Sequence, residues 1–592
     1  MSQTISLVDS GTPSRIPLKS SGQYGLQYNF CKNPQCENYG VEPSQTARKG
    51  VKGLYKISGG GKGYPMLVCN CCGEMPPLKS NTGITEEIHR ISAYLDIPSK
   101  PTCPNEECHN HTIPVGTKKA YRSFGTAASG AKRFQCALCH KTFSIAKPTQ
   151  GQHETHHNIE IFKLLMNKVP LSRIINILDI SWEVLYNRIN FIHKQCLAFT
   201  ADREKQLKDL AIKRLYIAVD KQDYEINWTE RKDKRNIVLS AMASADNATG
   251  YVFGIHPNFD HTLDKTEIEL DAKTINDSDN AEPFKKYARL WLEADYQKAS
   301  KTYTTKRPTE TLNDKIAETY RETNQREDIE AFDVKTTIQK LPSYGLQVHA
   351  EYTMIAHFYF LKNLMGKVGK WRFFLDQESG IRSACLSAFH PEITQKKAEA
   401  FYVKIEKHLT VDQKRKYKAE AKKSFDCLKE SYPLLDDDGI KLEMLKHEIK
   451  MVVPLGNWKD KWVKHPLPSM CESNKAMCWL TEHQDYDLDH QAWLYNKASL
   501  HGIDSFFEKI RRRIAMFERP IHSAANSGRT WNGYAAYNPA MVTKMLEIFR
   551  VVHNFIDVRK DKDDKTTPAM RLGLANTPMS YKTVLYFESE KN

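Results

Sequence analysis

The chain has no apolar run approaching the ~18 residues needed to cross a bilayer. Its start, Met1-Ser2-Gln3-Thr4, lacks a basic stretch followed by an apolar one, so no secretory signal is visible. Those absences predict a soluble, intracellular protein. Acidic residues are in deficit: 71 Asp and Glu stand against 86 Lys and Arg, a formal net charge of +15. Such a surplus suits a polyanion partner, without separating DNA from RNA or an anionic membrane. Hydrophobic residues are not scarce, at 40%, which argues against wholesale disorder. Cysteine is sparse beyond residue 140, where only five of the fourteen lie. A length of 592 residues predicts several domains.

The early cysteines repeat. Cys31-x4-Cys36 is followed by Cys69 and Cys72, and Cys103-x4-Cys108 by Cys136 and Cys139. Cys31 to Cys103 and Cys36 to Cys108 both span 72 residues; Cys69 to Cys136 and Cys72 to Cys139 both span 67. This is a tandem duplication, with an aromatic (Tyr64, Phe134) ahead of each second pair. Four thiolates in two short knuckles suit tetrahedral Zn²⁺. Such small units need a metal to supply the stability their cores lack. Disulfides are the competing reading and suit secreted chains. Cys71 competes with Cys72 as a ligand, while His109, His111 and His140 are alternative ligands that are expected rather to flank the sites. The domain reading is zinc ribbon 1 over 1–90 and zinc ribbon 2 over 91–150. Residues 1–160 carry 18 Lys and Arg against 11 Asp and Glu, mildly favouring nucleic acid.

Over 151–205 the period becomes helical. Ile159, Phe162, Leu165 and Met166 form one apolar face. Leu171, Ile174, Ile175 and Leu178 form a second after Pro170, and Val184, Leu185, Ile189 and Ile192 a third. Asp179-Ile180-Ser181 makes the turn, with Ser181 as N-cap. This is a helix-turn-helix pattern, and its last helix would enter the major groove. Trp182, Glu183, Tyr186, Asn187 and Arg188 are its candidate exposed residues. An ordinary helical hairpin is the bland alternative.

A polar helix is expected from Ala201 to about Ala211, then strands at Leu215–Val219, Asn236–Ala243 and Thr249–Ile255. The first ends in Asp220. A later strand, Lys370–Leu375, ends in Asp376. The fold class read from this pattern is α/β, with an RNase H-like core over 206–540. Insertions are expected at about 260–345, with a helix over 284–294, and at about 395–450. Residues 541–592 are expected to form a C-terminal helix and tail. Asp223, Glu225 and Glu378 are possible substitutes for the two aspartates. Residues 503–517 form an amphipathic helix whose stripe is Ile503, Phe506, Phe507, Ile510, Ile514 and Phe517. Asp504 and Arg511 lie about two turns apart on one face. Asp504 could instead cap that helix, or Ser505 and Glu508 could form a capping box. Arg519, Arg529, Trp531 and Tyr534 could grip DNA or stack on bases, or the aromatics could pack beneath the helix.

The sequence resembles the DDE/DDD-type transposases of bacterial insertion sequences. That family places two aspartates at strand ends and a third acid on a helix, often with Lys or Arg seven residues later. Asp220, Asp376 and Asp504-x6-Arg511 match this scheme. The tail matches too, in Phe549-Arg550, Asn554-Phe555 and Thr567–Leu574, and the resemblance covers most of the chain. The third acid departs from the usual Glu, with Glu508 as its alternative. The acids are also widely spaced, by 156 and 128 residues. The resemblance implies Asp220, Asp376 and Asp504 as ligands of two Mg²⁺ or Mn²⁺ ions and Arg511 as a phosphate-positioning residue. It implies two structural zinc ions and double-stranded DNA, both terminal repeats and target, as partner. A homodimer or larger assembly, without membrane, in a bacterial cytoplasm near the nucleoid completes that expectation. Two other functions share these residues: a domesticated, non-catalytic DNA-binding regulator, and a structure-specific nuclease of the same fold.

Overall fold

The structure is a computed structural model. It describes residues 16–17, 19–20, 25–43, 53–59, 65–97, 101–128, 130–145, 148–149, 151–227, 235–300, 317, 340–406, 409–456, 458–518, 521–522, 530–531, 533–559 and 564–587. Among the described residues, no helix is long and apolar enough to cross a membrane.

The first cysteine unit pairs β1 (Tyr55–Ser58) with β2 (Met66–Cys69), and α1 (Asn81–Ser92) follows. The second is a three-stranded antiparallel sheet of β3 (Tyr121–Thr126), β4 (Lys132–Cys136) and β5 (Thr142–Ile145). Next come α2 (His157–Leu165), α3 (Leu171–Leu178) and α4 (Trp182–Glu204). Asp179 turns the chain with a left-handed φ of 51°, and Ser181 Oγ accepts from Val184 N to cap α4. The polar helix expected at 201–211 does not exist as a separate element. Cys196, Phe199, Ala201 and Glu204 continue one buried face, so α4 runs on until a 3₁₀ turn at Lys205–Lys208.

The centre is an eight-stranded mixed sheet. Strands β6 (Ala211–Ile226), β7 (Ile237–Asp246) and β8 (Val252–Pro257) form an antiparallel meander. A small pair, β9 (Phe259–Asp260) and β10 (Leu346–Gln347), lies apart from it. Strand β11 (Lys367–Asp376) runs parallel to β6, and β12 (Ala398–Ile405) parallel to β11. Antiparallel β13 (Pro454–Leu455), β14 (Asp460–Lys464) and β15 (Lys475–Trp479) extend the far edge. The spatial order is β13-β14-β15-β12-β11-β6-β7-β8.

Helices α5 (Lys265–Thr274) and α6 (Glu293–Ser300) precede α7 (Ala350–Leu364); α8 (Ser379–Ala388) and α9 (His390–Thr394) follow β11. Helices α10 (Val411–Ser431) and α11 (Asp437–Lys450) form a hairpin after β12. Next come α12 (Leu488–Lys497) and α13 (His501–Arg513), then the short strands β16 (Ile521–His522) and β17 (Thr530–Trp531). The chain closes with α14 (Pro539–Val551), α15 (Pro568–Leu572) and α16 (Tyr581–Leu585). Side-chain alternation sorts these helices to two faces. Phe373 meets Phe358 of α7, whereas Phe374 stacks on Tyr216, which meets Trp493 of α12.

Two insertions differ from expectation. No helix spans 284–294, because the Asp277 carboxylate accepts from the backbone N–H groups of Lys286 and Tyr287. The second insertion begins only after β12. The Lys- and Glu-rich segment beginning near 395 includes a buried strand, whose Glu399 is matched by Lys370 and Arg372.

One apolar core runs from Leu26 and Tyr28 to Val584 and Leu585. The first cysteine unit is bolted to it. Tyr39 OH donates to the Leu386 carbonyl, Phe30 packs on His390, and Lys79 pairs with Glu351. The second unit has its own small cluster around Cys103, Cys108 and Cys136.

Candidate metal centres and a carboxylate face

Cys31, Cys36, Cys69 and Cys72 form one group whose sulfurs lie within 4.8 Å of one another, and Cys103, Cys108, Cys136 and Cys139 form another. Facing Sγ atoms are 3.4–3.7 Å apart, far beyond the ~2.05 Å of a disulfide. All fourteen cysteines are free thiols. The second reading of the cysteine pattern, disulfides, is therefore overturned, and both sets could hold a metal ion. The all-sulfur donor set is that of structural zinc. Cys72 belongs to the first set and Cys71 is exposed outside it. The hydrogen bond from Cys31 pulls the Cys72 thiol down to about 5. His111 Nδ1 contacts the Cys103 carbonyl at 2.7 Å, and no histidine belongs to either group.

Sequence reasoning missed the buried charges at the first set. The Glu74 carboxylate lies 3.1 Å from Cys31 Sγ, and burial raises its pKa. Lys32 is fully buried between the Tyr28 and Phe30 rings, and burial lowers its ammonium to about 7. A lone acid beside a cysteine knuckle gives no pattern from which burial could have been read.

The register of the sheet places the acids. Leu375 lies beside Val219, so the next step of the parallel ladder sets Asp376 beside Asp220 on strands ~4.8 Å apart. Asp220 is not at a strand end, as expected, but within β6, because Lys221–Ile226 continue the ladder with β7. Asp220 is 3% exposed and Asp376 half-buried.

Helix α13 lies across this face. A Cβ at Gly502 would come within 3.6 Å of the Ala245 Cβ, and Ala245 is the partner of Ala218. At the far end, the Phe517 ring meets Tyr224 at 4.8 Å. Ala218, Asp220, Gln222 and Tyr224 therefore all face α13. Helix α13 ends at Arg513, Ile514 is extended, and Phe517 lies in the 3₁₀ turn that follows. The Arg511 charge acts on the buried Tyr224 phenol, opposing the burial that raises its pKa.

The same alternation turns Asp223 and Glu225 to the opposite face, where Asp223 accepts from Ser240 Oγ at 2.6 Å. Glu378 is paired with Lys221 at 2.8 Å. Glu508 is exposed and pairs with Arg512. Asp504 sits within the first turn of α13, which begins at His501, so neither it nor Ser505 is the cap. The stripe Ile503, Phe506, Phe507, Ile510, Ile514 and Phe517 is buried. Asp220 and Asp376 share one face, and among the described residues the carboxylates form no third group with ligand atoms within 4.8 Å of one another. Like charges without a cation between them repel.

At the start of α4, Trp182 and Tyr186 are 49% and 40% exposed and stack at 6.0 Å, and Asn187 is exposed. Arg188 is the exception to the expected exposed set. It is 7% exposed, and its Nη2 donates to the His153 carbonyl. It follows Asn187 around the helix onto the packed side, next to buried Leu185 and Ile189. Arg519 and Arg529 lie outside the described residues; Trp531 falls in β17. Tyr534 is exposed.

No known protein family matches the chain, and no curated protein matches it.

Proposed function

We propose that the chain is a DNA transposase with an RNase H-like core, which cuts and joins DNA by metal-dependent phosphoryl transfer. The observation carrying this reading is the register that runs Asp220 and Asp376 side by side on parallel strands, with α13, the helix that carries Asp504, packed against the same sheet face. A three-stranded antiparallel meander whose first strand pairs in parallel with β11, which in turn pairs in parallel with β12, supports the core assignment.

The carboxylate oxygens suit Mg²⁺ or Mn²⁺ rather than a thiophilic metal. Two such ions supply charge stabilisation at the attacking and leaving oxygens of an in-line displacement. Asp220, Asp376 and Asp504 would hold them. Arg511, two turns along α13 from Asp504, positions a backbone phosphate. Water first frees a 3′-OH at the element end, and that hydroxyl then attacks target DNA. Trp182, Tyr186 and Asn187 contact the terminal repeats. Holding two ends together requires a dimer or larger assembly.

The test is strand transfer with the DNA flanking the gene and Mg²⁺. Asp220→Asn and Asp376→Asn should each keep end binding and abolish transfer; retained transfer in either variant sinks the assignment. A non-catalytic regulator is the second reading, favoured by the lack of a tight three-carboxylate group among the described residues. Wild-type chain that binds ends yet neither cuts nor joins them under these conditions would establish it.

A further inference from the structure

The two duplicated cysteine units occupy different settings, and the difference points to different roles. The first is built into the molecule, as its ties to α8, α9 and α7 show. Its strand β2 is buried along its whole length. In the second, β3 has five exposed residues of six, and none of the described residues among 101–156 belongs to the main apolar core.

The sheet of the second unit has two unlike faces. Tyr121, Phe134 and Phe143 pack together on the cysteine side. The register places Arg122 beside Gln135, Arg133 beside Ser144 and Gln135 beside Thr142, all on the other side. Phe124 joins them, with the Arg133 guanidinium 5.4 Å from its ring centre. Two arginines, an aromatic and three short polar side chains thus share a face that packs on nothing in the main core. The surrounding sequence is charged in one sign only. Residues 108–153 contain seven Lys and Arg and no Asp or Glu.

The unit is also aimed. Its exit segment is pinned to the helices, with Arg188 donating to the His153 carbonyl and Asn158 Nδ2 to Gln152 Oε1 at 2.9 Å. Arg188 thus fastens the second unit to α4 from the buried side, while Trp182 and Tyr186 stay exposed on the same helix.

We propose that the Arg122–Phe124–Arg133 face of the second cysteine unit is a double-stranded DNA-binding surface, continuous with α4, and that the first unit is an architectural clamp that does not touch DNA. Duplex DNA is the occupant because phosphate contacts need this one-sign charge and an antiparallel sheet ribbon fits a major groove beside a recognition helix. The inference rests on the DNA reading above and adds which copy of the repeat does the binding.

The experiment uses the full chain and a 30-base-pair duplex, with affinity measured by fluorescence anisotropy over a salt series. Arg122→Glu/Arg133→Glu should weaken binding about tenfold or more and lower the log–log salt slope by about two. Lys56→Glu, an exposed reversal on β1 of the first unit, should change affinity less than about twofold. Two zinc ions per chain in each variant show that the units still fold. Unchanged affinity in the double variant overturns the inference, as does an equal loss per charge in Lys56→Glu. Preference for an RNA duplex of the same sequence overturns it too. Failure of the wild-type chain to bind any duplex overturns the transposase reading along with it.

Discussion

Alternation in β6 decides more about the candidate site than does the identity of any one acid. Asp220, Asp223 and Glu225 lie within six residues, but only Asp220 faces α13. Asp223→Asn should therefore leave strand transfer within about twofold of wild type in the assay where Asp220→Asn abolishes it; a large loss would place the chemistry on the wrong face. A second residue-scale expectation concerns pH. Burial lowers His357 and His553 each to about 3, so both are neutral in the folded state near neutrality. Unfolded histidine titrates near 6.5. Below that value the unfolded chain binds protons that the folded chain refuses, so stability is full above pH ~6.5 and is lost as pH falls toward 3. At pH 5 each group costs about 2 kcal/mol. Thermal midpoints should fall between pH 7 and 5. His553→Gln keeps a donor for the Gly250 carbonyl, which His553 Nε2 now contacts at 3.0 Å, and should flatten that fall.

The elements divide into those whose pattern could be read and those whose pattern was hidden. Helices α2, α3, α4 and α13 have one packed face, and their apolar spacing reveals them. Helix α7 buries Tyr352, Met354, Ile355, Ala356, Phe358 and Leu361 around its whole circumference, so it has no periodicity to find. Strand β6 was legible only at Leu215–Val219; its polar flanks alternate at one exposed edge of each turn of the pleat and look like loop. The cysteine spacing gave both metal sets, but not their unequal settings, which depend on contacts hundreds of residues away. That inequality carries a prediction. Cys69→Ser should lower the main thermal midpoint by roughly 5 °C or more, since loss of its metal loosens a unit packed into the core. Cys136→Ser should cost one zinc and leave the main midpoint within about 2 °C, because its unit lies outside that core. Calorimetry with metal analysis separates the two. Equal shifts would mean that the second unit is as integrated as the first.

At the scale of the whole molecule, a single buried carboxylate ties together segments far apart in sequence. Glu204, at the end of α4, is fully buried. It accepts hydrogen bonds from Tyr94 OH beyond α1, from Tyr251 OH at 2.7 Å beside β8, and from Arg550 Nη1 of α14 at 2.6 Å. Arg550 also donates to the Phe253 carbonyl at 2.9 Å. The Glu204 carboxylate raises the Arg550 pKa despite the burial that opposes it. The segment after α1, helix α4, the sheet edge and the carboxy-terminal helix thus share one ion pair. Nothing local in the sequence marks Arg550 as buried, so its role could not be read there. Arg550→Met should destabilise by about 3–5 kcal/mol, since an unpaired charge remains in the core. Adding Glu204→Gln removes that charge and still offers an oxygen to both tyrosines, so the double variant should be more stable than Arg550→Met alone. Denaturant unfolding of the three proteins checks this. If the double variant is no better than the single one, packing of the arginine stem, rather than its charge, holds these segments together.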